Sequence, residues 1–357
     1  MVVKKMSREL LFKMLETPSV SGHELDFQKM LMAELKGISD VTYTHHSYNV
    51  VHGIHPKSQM KVMLVAHIDE IGLVIEKIES SGICRLTNVG SIQPYMYLGQ
   101  RVIVLHTEAD GTKKEVPGII GPTYQMLSGE LKVTDLKLDL GTSTKEETEA
   151  IVAIGDVVIH QMTYLRMGKH RLAGRALDDK IGAYIALETL KRAKENKTSV
   201  GVYVATTVGE ETTGRGAKFA VEMVKPSCAI VLDVGSSTDV AYKNTFTHDT
   251  ALGGGPILTI ASHANSILVN RLKEAAKRLN LPLQFAVEIS KTYTDMDQIY
   301  DKQGGIPTEL ISIPLRYMHS SVEVCDLRDV EMIIALLVDT IMHLKDTETF
   351  NAFDEVL

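Results

Sequence analysis

Three cysteines in 357 residues, Cys84, Cys228 and Cys325, are odd in number and far apart. Without a CxxC pair they support neither a disulfide framework nor a thiolate zinc knuckle. No apolar run reaches the 18 residues needed to cross a membrane. A basic excess is also missing: the formal net charge is −7, which argues against non-specific nucleic-acid binding, where a basic face is expected. The opening "MVVKKMSRELLFKMLE" carries two lysines but no apolar signal core, and it reads as an amphipathic helix. That places the chain in the cytoplasm, with no membrane and no nucleic-acid partner expected. Tryptophan is absent as well, which decides nothing about function.

What is present is an ordinary globular composition, 44% hydrophobic and 23% charged, in a chain long enough for one large or two ordinary domains. Short apolar strands alternate with helical patterns at both ends. Strands are expected at 62–66, 199–207, 228–233, "PLQFAVEI" and 308–314. Helices are expected at 180–196, near 214–224, at 265–280 and near 328–345. This interleaving predicts an α/β fold, a mostly parallel sheet covered by helices. Residues 72–165 differ. "GLVIEKIES-SG-ICRLTNVG" and the segment around Asp110-Gly111 read as hairpins, so a β-rich module is inserted in the α/β domain.

Chemistry gathers at five places. The strand "KVMLVAHIDEIG" ends on His67, Asp69 and Glu70, and "RALDDKIG", "VGEETTGRG", "IVLDVG" and "LRYMHSS" add Asp178, Asp179, Glu210, Glu211, Asp233 and His319. In a parallel sheet such strand ends meet at one edge, where ligands bind. Imidazole and carboxylate together suit divalent transition ions. Each piece alone has a plainer reading. A lone strand-end histidine is a hydrogen-bonded structural residue, Asp178-Asp179 a helix cap, Glu210-Glu211 solvated first-turn acids, and Asp69 a surface turn residue. Glu210-Glu211 as glycosidase carboxylates is a further alternative, although adjacency does not give their usual separation.

These five motifs, in this order, resemble the M42 family of co-catalytic metallo-aminopeptidases, the glutamyl-aminopeptidase and TET-type enzymes. The resemblance begins at "ETPSVSGHE" and runs to "IPTELISIPLRYMHSSVEV". It implies a di-zinc-exopeptidase-like domain, residues 1–71 and 166–357, interrupted by a β-barrel-like dimerisation or oligomerisation domain at 72–165. It implies two divalent ions per subunit, Zn²⁺ or Co²⁺. His67 and Asp233 would hold one, Glu211 and His319 the other, and Asp178 would bridge them. Glu210 would be the general base and Asp69 would orient His67. Thr294 and Asp295 would lie near the substrate.

The implied activity is removal of N-terminal residues from short peptides through a metal-bridging hydroxide. Dimers assembled into a dodecamer are the implied partners. An inactive scaffold or binding homologue is the non-enzymatic alternative. The chain departs from the family pattern at Lys180 (usually Arg), at Gly209 (usually Gln), at Lys291 and Tyr293 (usually Gly), and across "GIIGPTYQMLSGE", where a KPPH-containing stretch is usual. Glu70 has no assigned role.

Overall fold

The computed structural model describes residues 8–122, 126, 130–161, 164–239 and 249–354. Residues 123–125 and 127–129 of the departure at "GIIGPTYQMLSGE" therefore lie outside the described residues. The chain opens with helices α1 (Glu9–Glu16) and α2 (Leu25–Glu34), then strands β1 (Val41–Thr44), β2 (Val50–Ile54) and β3 (Lys61–His67). β4 (Gly72–Ile78), β5 (Cys84–Val89), β6 (Gln100–Thr107), β7 (Lys113–Ile120), β8 (Lys137–Asp139), the short α3 (Lys145–Glu149) and β9 (Val157–His160) come next. The chain continues through β10 (Tyr164–Met167), β11 (Arg171–Gly174), α4 (Leu177–Glu195), β12 (Gly201–Thr207), α5 (Arg215–Val224) and β13 (Cys228–Ser236). The last elements are β14 (Ile257–Ile260), α6 (Ser266–Leu279), β15 (Gln284–Val287), α7 (Met296–Ile299), β16 (Thr308–Leu315), β17 (Glu323–Asp326) and α8 (Leu327–His343).

Eight strands form one sheet in the order β1-β2-β12-β3-β13-β16-β14-β15. The central four, β12, β3, β13 and β16, are mutually parallel. Antiparallel pairings appear only toward the edges. The central strands are apolar almost throughout because helices cover both faces. α4, α6 and α8 pack on one face around Leu64, Val204, Ile230 and Ile311. α5 and α7 cover the other around Met63, Val65, Ala205 and Val231. Alternation along β3 divides its side chains between these two cores, so the unbroken run 62–66 is a strand buried on both sides.

Strands β4, β5, β8, β7, β6 and β9 close into a barrel, filled by Leu73, Ile75, Val102, Val104 and Leu136. A six-stranded barrel leaves no open edge to template aggregation. It leaves the α/β sheet at Ile71, just after the charged end of β3, and so stands beside the edge where the ionisable groups collect.

Candidate metal centre

The β3 strand runs apolar to Ala66 and then delivers His67 at its carboxyl end, beside Thr207 of β12. Asp233 sits on β13, two positions beyond Val231, the last residue of that strand to pair with β3. Period-two alternation points His67 and Asp233 from the same sheet face. The start of α4 comes in above them. Residues 178 and 179 have non-helical backbone angles, so the regular helix begins after them and Asp178 is free to point at the sheet. His67 Nε2 is 3.1 Å from Asp178 Oδ1 and 3.8 Å from Asp233 Oδ1. The second oxygen of Asp178 lies 3.2 Å from His319 Nε2, which is itself 3.6 Å from Glu211 Oε2. Donor atoms of His67, Asp178 and Asp233 lie within 4.8 Å of one another, and so do those of Asp178, Glu211 and His319. Asp178 belongs to both triads.

Backbone contacts fix these side chains. Asp69 accepts the amides of Glu210 (3.1 Å) and Glu211 (3.3 Å), which pins the loop after β12. Its carbonyl oxygen lies 3.0 Å from His67 Nδ1, closer than its carboxylate at 3.6 Å. Asp69 thus touches the imidazole mainly through its main chain and holds the Glu210-Glu211 turn with its side chain. His319 has a φ of 60°, a left-handed conformation that costs energy for a side chain with a Cβ. Glu323 on β17 holds that turn in place. One of its oxygens accepts the His319 amide at 2.9 Å, and the other accepts the Asp178 amide at 3.1 Å. Gly209 has a φ of 70°, and the Arg215 guanidinium fills the space where its Cβ would stand. Glycine suits that position beside Glu210 on both counts.

The charge in this pocket is unbalanced. Burial lifts the Glu210 carboxyl to about 9, offset in part by His67 and reinforced by Asp233 and Asp295. Burial lifts Asp233 to about 8 and, with Asp178 beside it, raises Glu211 well above the carboxylate range. Asp178 goes the other way: the two imidazoles outweigh its desolvation and hold it below the ordinary value. Two histidines cannot neutralise this many buried acids. A cluster of carboxylates with so little compensating charge is the environment that bound divalent cations stabilise. The donor set, imidazole nitrogen with carboxylate oxygen, suits first-row divalent ions.

Glu210 lies 3.9 Å from His67 Nε2, with its side chain 16% exposed, at the rim of the cluster rather than within either triad. Asp295 is buried and accepts the Thr207 hydroxyl at 2.6 Å, while its other oxygen has no hydrogen-bond partner among the described residues. Thr294 pairs with the Thr292 hydroxyl at 2.9 Å and lines a neighbouring pocket on the β13–β16 side.

Three groups escape sequence reasoning. Glu323 supports both turns from a strand that reads only as "VEV". Asp179 is the α4 cap, accepting the Gly182 amide at 3.1 Å, so the cap reading holds for this one member of the pair. Glu70 ends inside a buried ionic cluster. It accepts the Ser19 amide (2.8 Å) and Lys180 Nζ (2.9 Å), and it pairs with Arg175. Asp179 and Glu70 each stand beside another acid with a different task, and Glu323 stands between valines, so nothing in the sequence marks what each does.

A family model described as M42 glutamyl aminopeptidase matches residues 48–336, which spans the barrel and all five site motifs. The chain belongs to the M42 aminopeptidase family. It is 31% identical over 344 residues to a lysyl aminopeptidase of Pyrococcus furiosus, covering 94% of this chain and 97% of that one. Among solved structures it is similar to an aminopeptidase of Desulfurococcus kamchatkensis, with a TM-score of 0.86, 30% identity and 95% of each chain covered. It is also similar to the TET1 peptidase of Pyrococcus horikoshii, which can assemble into a tetrahedron or a large octahedral shell. That likeness has a TM-score of 0.81 at 27% identity and covers 94% of this chain and 99% of the other. This M42 chain is therefore an aminopeptidase, a hydrolase of a metal-dependent family, built on the family's α/β sheet and closed barrel.

Proposed function

We propose that the two triads hold two divalent ions, zinc or cobalt, and that the site cleaves the first peptide bond of short peptides. His67 and Asp233 would hold one ion, Glu211 and His319 the other, with Asp178 shared between them. The observation that carries this reading is Asp178 itself, whose two oxygens face the two imidazoles at 3.1 and 3.2 Å. When bound, such ions polarise the scissile carbonyl and lower the pKa of water.

The protein's own groups would do the rest. Glu210 stands at the rim of the cluster; in the carboxylate form that neighbouring cations favour, it would accept a proton from the attacking water and return it to the leaving amine nitrogen. Asp69 keeps Glu210 and Glu211 in different orientations by holding both amides. Asp295, one of whose oxygens has no hydrogen-bond partner among the described residues, would accept from the free α-ammonium group of a peptide and so restrict cleavage to the N-terminus. Glu210 and Glu211 are joined by one peptide bond and held in one turn, which speaks against a glycosidase pair facing each other across a sugar ring.

The barrel is assigned as the dimerisation module, with dimers building a dodecamer. Ile119 and Ile154 are exposed on its surface, where a contact between barrels would cover them. A hollow assembly would admit small peptides and exclude folded proteins. A cytoplasmic location accords with three buried, free cysteines, and no described helix is long and apolar enough to cross a membrane.

Purified protein should contain two metal equivalents per chain and hydrolyse aminoacyl chromogenic substrates. A chelator should abolish both metal content and turnover, and added Zn²⁺ or Co²⁺ should restore them. Hydrolysis that survives complete metal removal would end this reading.

A further inference from the structure

Glu210 and Glu211 share a loop that leaves β12 after Thr207 and enters α5 at Arg215. Asp69 holds both of their amides, which anchors the tip of the loop to the exit of β3. With glycine at 209, 214 and 216, the backbone adds little stiffness of its own. The loop is fixed instead where it closes, at Val208 and Gly216. The Gly216 amide donates to the Val208 carbonyl at 3.1 Å. In an ordinary antiparallel pair the reciprocal bond would run from the Val208 amide to the Gly216 carbonyl. Here that second link passes through the side chain of Asn49.

Asn49 Oδ1 accepts the Val208 amide at 3.0 Å, and Asn49 Nδ2 donates to the Gly216 carbonyl. A primary amide carries an acceptor beside a donor, which matches the gap, and the two partners dictate which end is oxygen. Asn49 reaches this place because it precedes β2, whose Val50 is in register with Thr206 of β12. Its own main chain is held by the His45 amide, which donates to the Asn49 carbonyl at 2.9 Å. Asn49 is only 1% exposed, so losing either side-chain bond leaves a polar group stranded away from water. Gly216 permits the close approach: a Cβ there would stand 2.5 Å from the Val208 nitrogen and 2.7 Å from Asn49 Oδ1.

Glu210 depends on this neck more than Glu211 does. A Glu211 that ligates an ion is anchored at its carboxylate as well as at its amide. The Glu210 side chain makes no hydrogen bond among the described residues and stands 3.9 Å from His67 Nε2, so the main chain of the loop sets its direction. Resting on the general-base reading above, we propose that Asn49 is a positioning residue for the reaction. Its amide locks the neck of the loop and so keeps the Glu210 carboxylate aimed at the attacking water. Asn49 belongs to neither triad, and its effect on turnover passes through the loop.

The test is a double-mutant cycle in kcat on the full-length protein, at saturating substrate and metal and well below the unfolding temperature of every variant. Asn49→Ala should lower kcat by about 10²-fold, the cost of misplacing a reacting group by about 1 Å, with two ions still bound per chain. In a Glu210→Gln background the same replacement should change kcat by less than about threefold, because effects that act through one group do not add. Asn49→Asp keeps the acceptor for Val208 but loses the donor to Gly216, and its kcat should also fall. A role in stability alone would lower the denaturant midpoint of Asn49→Ala and leave its kcat native. That result would overturn the inference, as would losses that multiply in the double variant. If neither Asn49 variant folds, hydrogen exchange of the native protein decides. The Val208 amide should then exchange as slowly as the amides of β12, and fast exchange would show an open neck and overturn the inference. Near-native kcat in Glu210→Gln alone would sink the base assignment and the inference with it. A native Asn49→Ala beside a slow Glu210→Gln would sink the inference alone.

Discussion

At the scale of single residues, the site depends on groups that never touch substrate. Glu323 holds the amides of Asp178 and His319, so it fixes one donor of each triad and the strained turn at His319. Glu323→Gln replaces one accepting oxygen with an amide that donates, and it should weaken metal binding by about 10- to 100-fold, the usual cost of losing an outer partner of a ligand. Competition with a metal chromophore would measure this, and unchanged affinity would show that the turn holds itself. His67 stands out in the sequence at the end of one apolar strand and His319 shortly after another, but their role as ligands came from the family resemblance. Asp178 and Glu211 were readable only through the family resemblance, since either could have been the capping member of its pair. The structure separates Asp178 from Asp179 by their partners: both leave the helical region, but Asp179 accepts the Gly182 amide while Asp178 faces the two imidazoles. Composition and spacing carry no trace of that turn.

At the scale of elements, two buried charges test the packing. Glu70 ties the segment before α2, the exit of β3 and the start of α4 into one cluster with Arg175 and Lys180. Burial raises its carboxyl pKa, but the two cations outweigh that and hold it down at about 2. Glu70→Ala leaves two buried cations uncompensated and should lower unfolding free energy by about 3–5 kcal/mol, read from denaturant midpoints. A loss below 1 kcal/mol would mean that the cluster relaxes to water.

Glu309 on β16 behaves oppositely. It is fully buried, neither oxygen has a hydrogen-bond partner among the described residues, and burial lifts its carboxyl to about 8, with Lys273 opposing. A carboxyl whose native pKa lies above its unfolded value binds more protons when folded, so stability should fall as pH rises from about 4.5 to 8. Each pH unit across that window is worth about 1.4 kcal/mol, so the fall amounts to a few kcal/mol. Glu309→Gln should flatten that slope in urea titrations between pH 5 and 8. The central strands were legible because they are apolar on both faces. The edge strand β1, the strand β14 and the three-stranded sheet β10-β11-β17 were not, because each of these strands is only 4 residues long and leaves little room for an alternating pattern.

At the scale of the whole molecule, the barrel and the α/β sheet meet where the chemistry is. The inserted segment reads as β-rich from its hairpins, but closure into a barrel depends on pairing β4 with β9 across some eighty residues, which local pattern does not show. If the barrel joins subunits, light scattering should report twelve chains per particle, and charged replacement of Ile119 or Ile154 should yield smaller species. A monomer at micromolar concentration would remove the assembly from the account. The central claim is that five residues from five chain segments hold two ions while Glu210 moves the proton. Glu210→Gln tests it most directly, with metal analysis and turnover measured on the same sample. The account predicts two bound ions per chain and a loss of about 10²- to 10⁴-fold in kcat. Near-native kcat, or loss of an ion together with the activity, would contradict it.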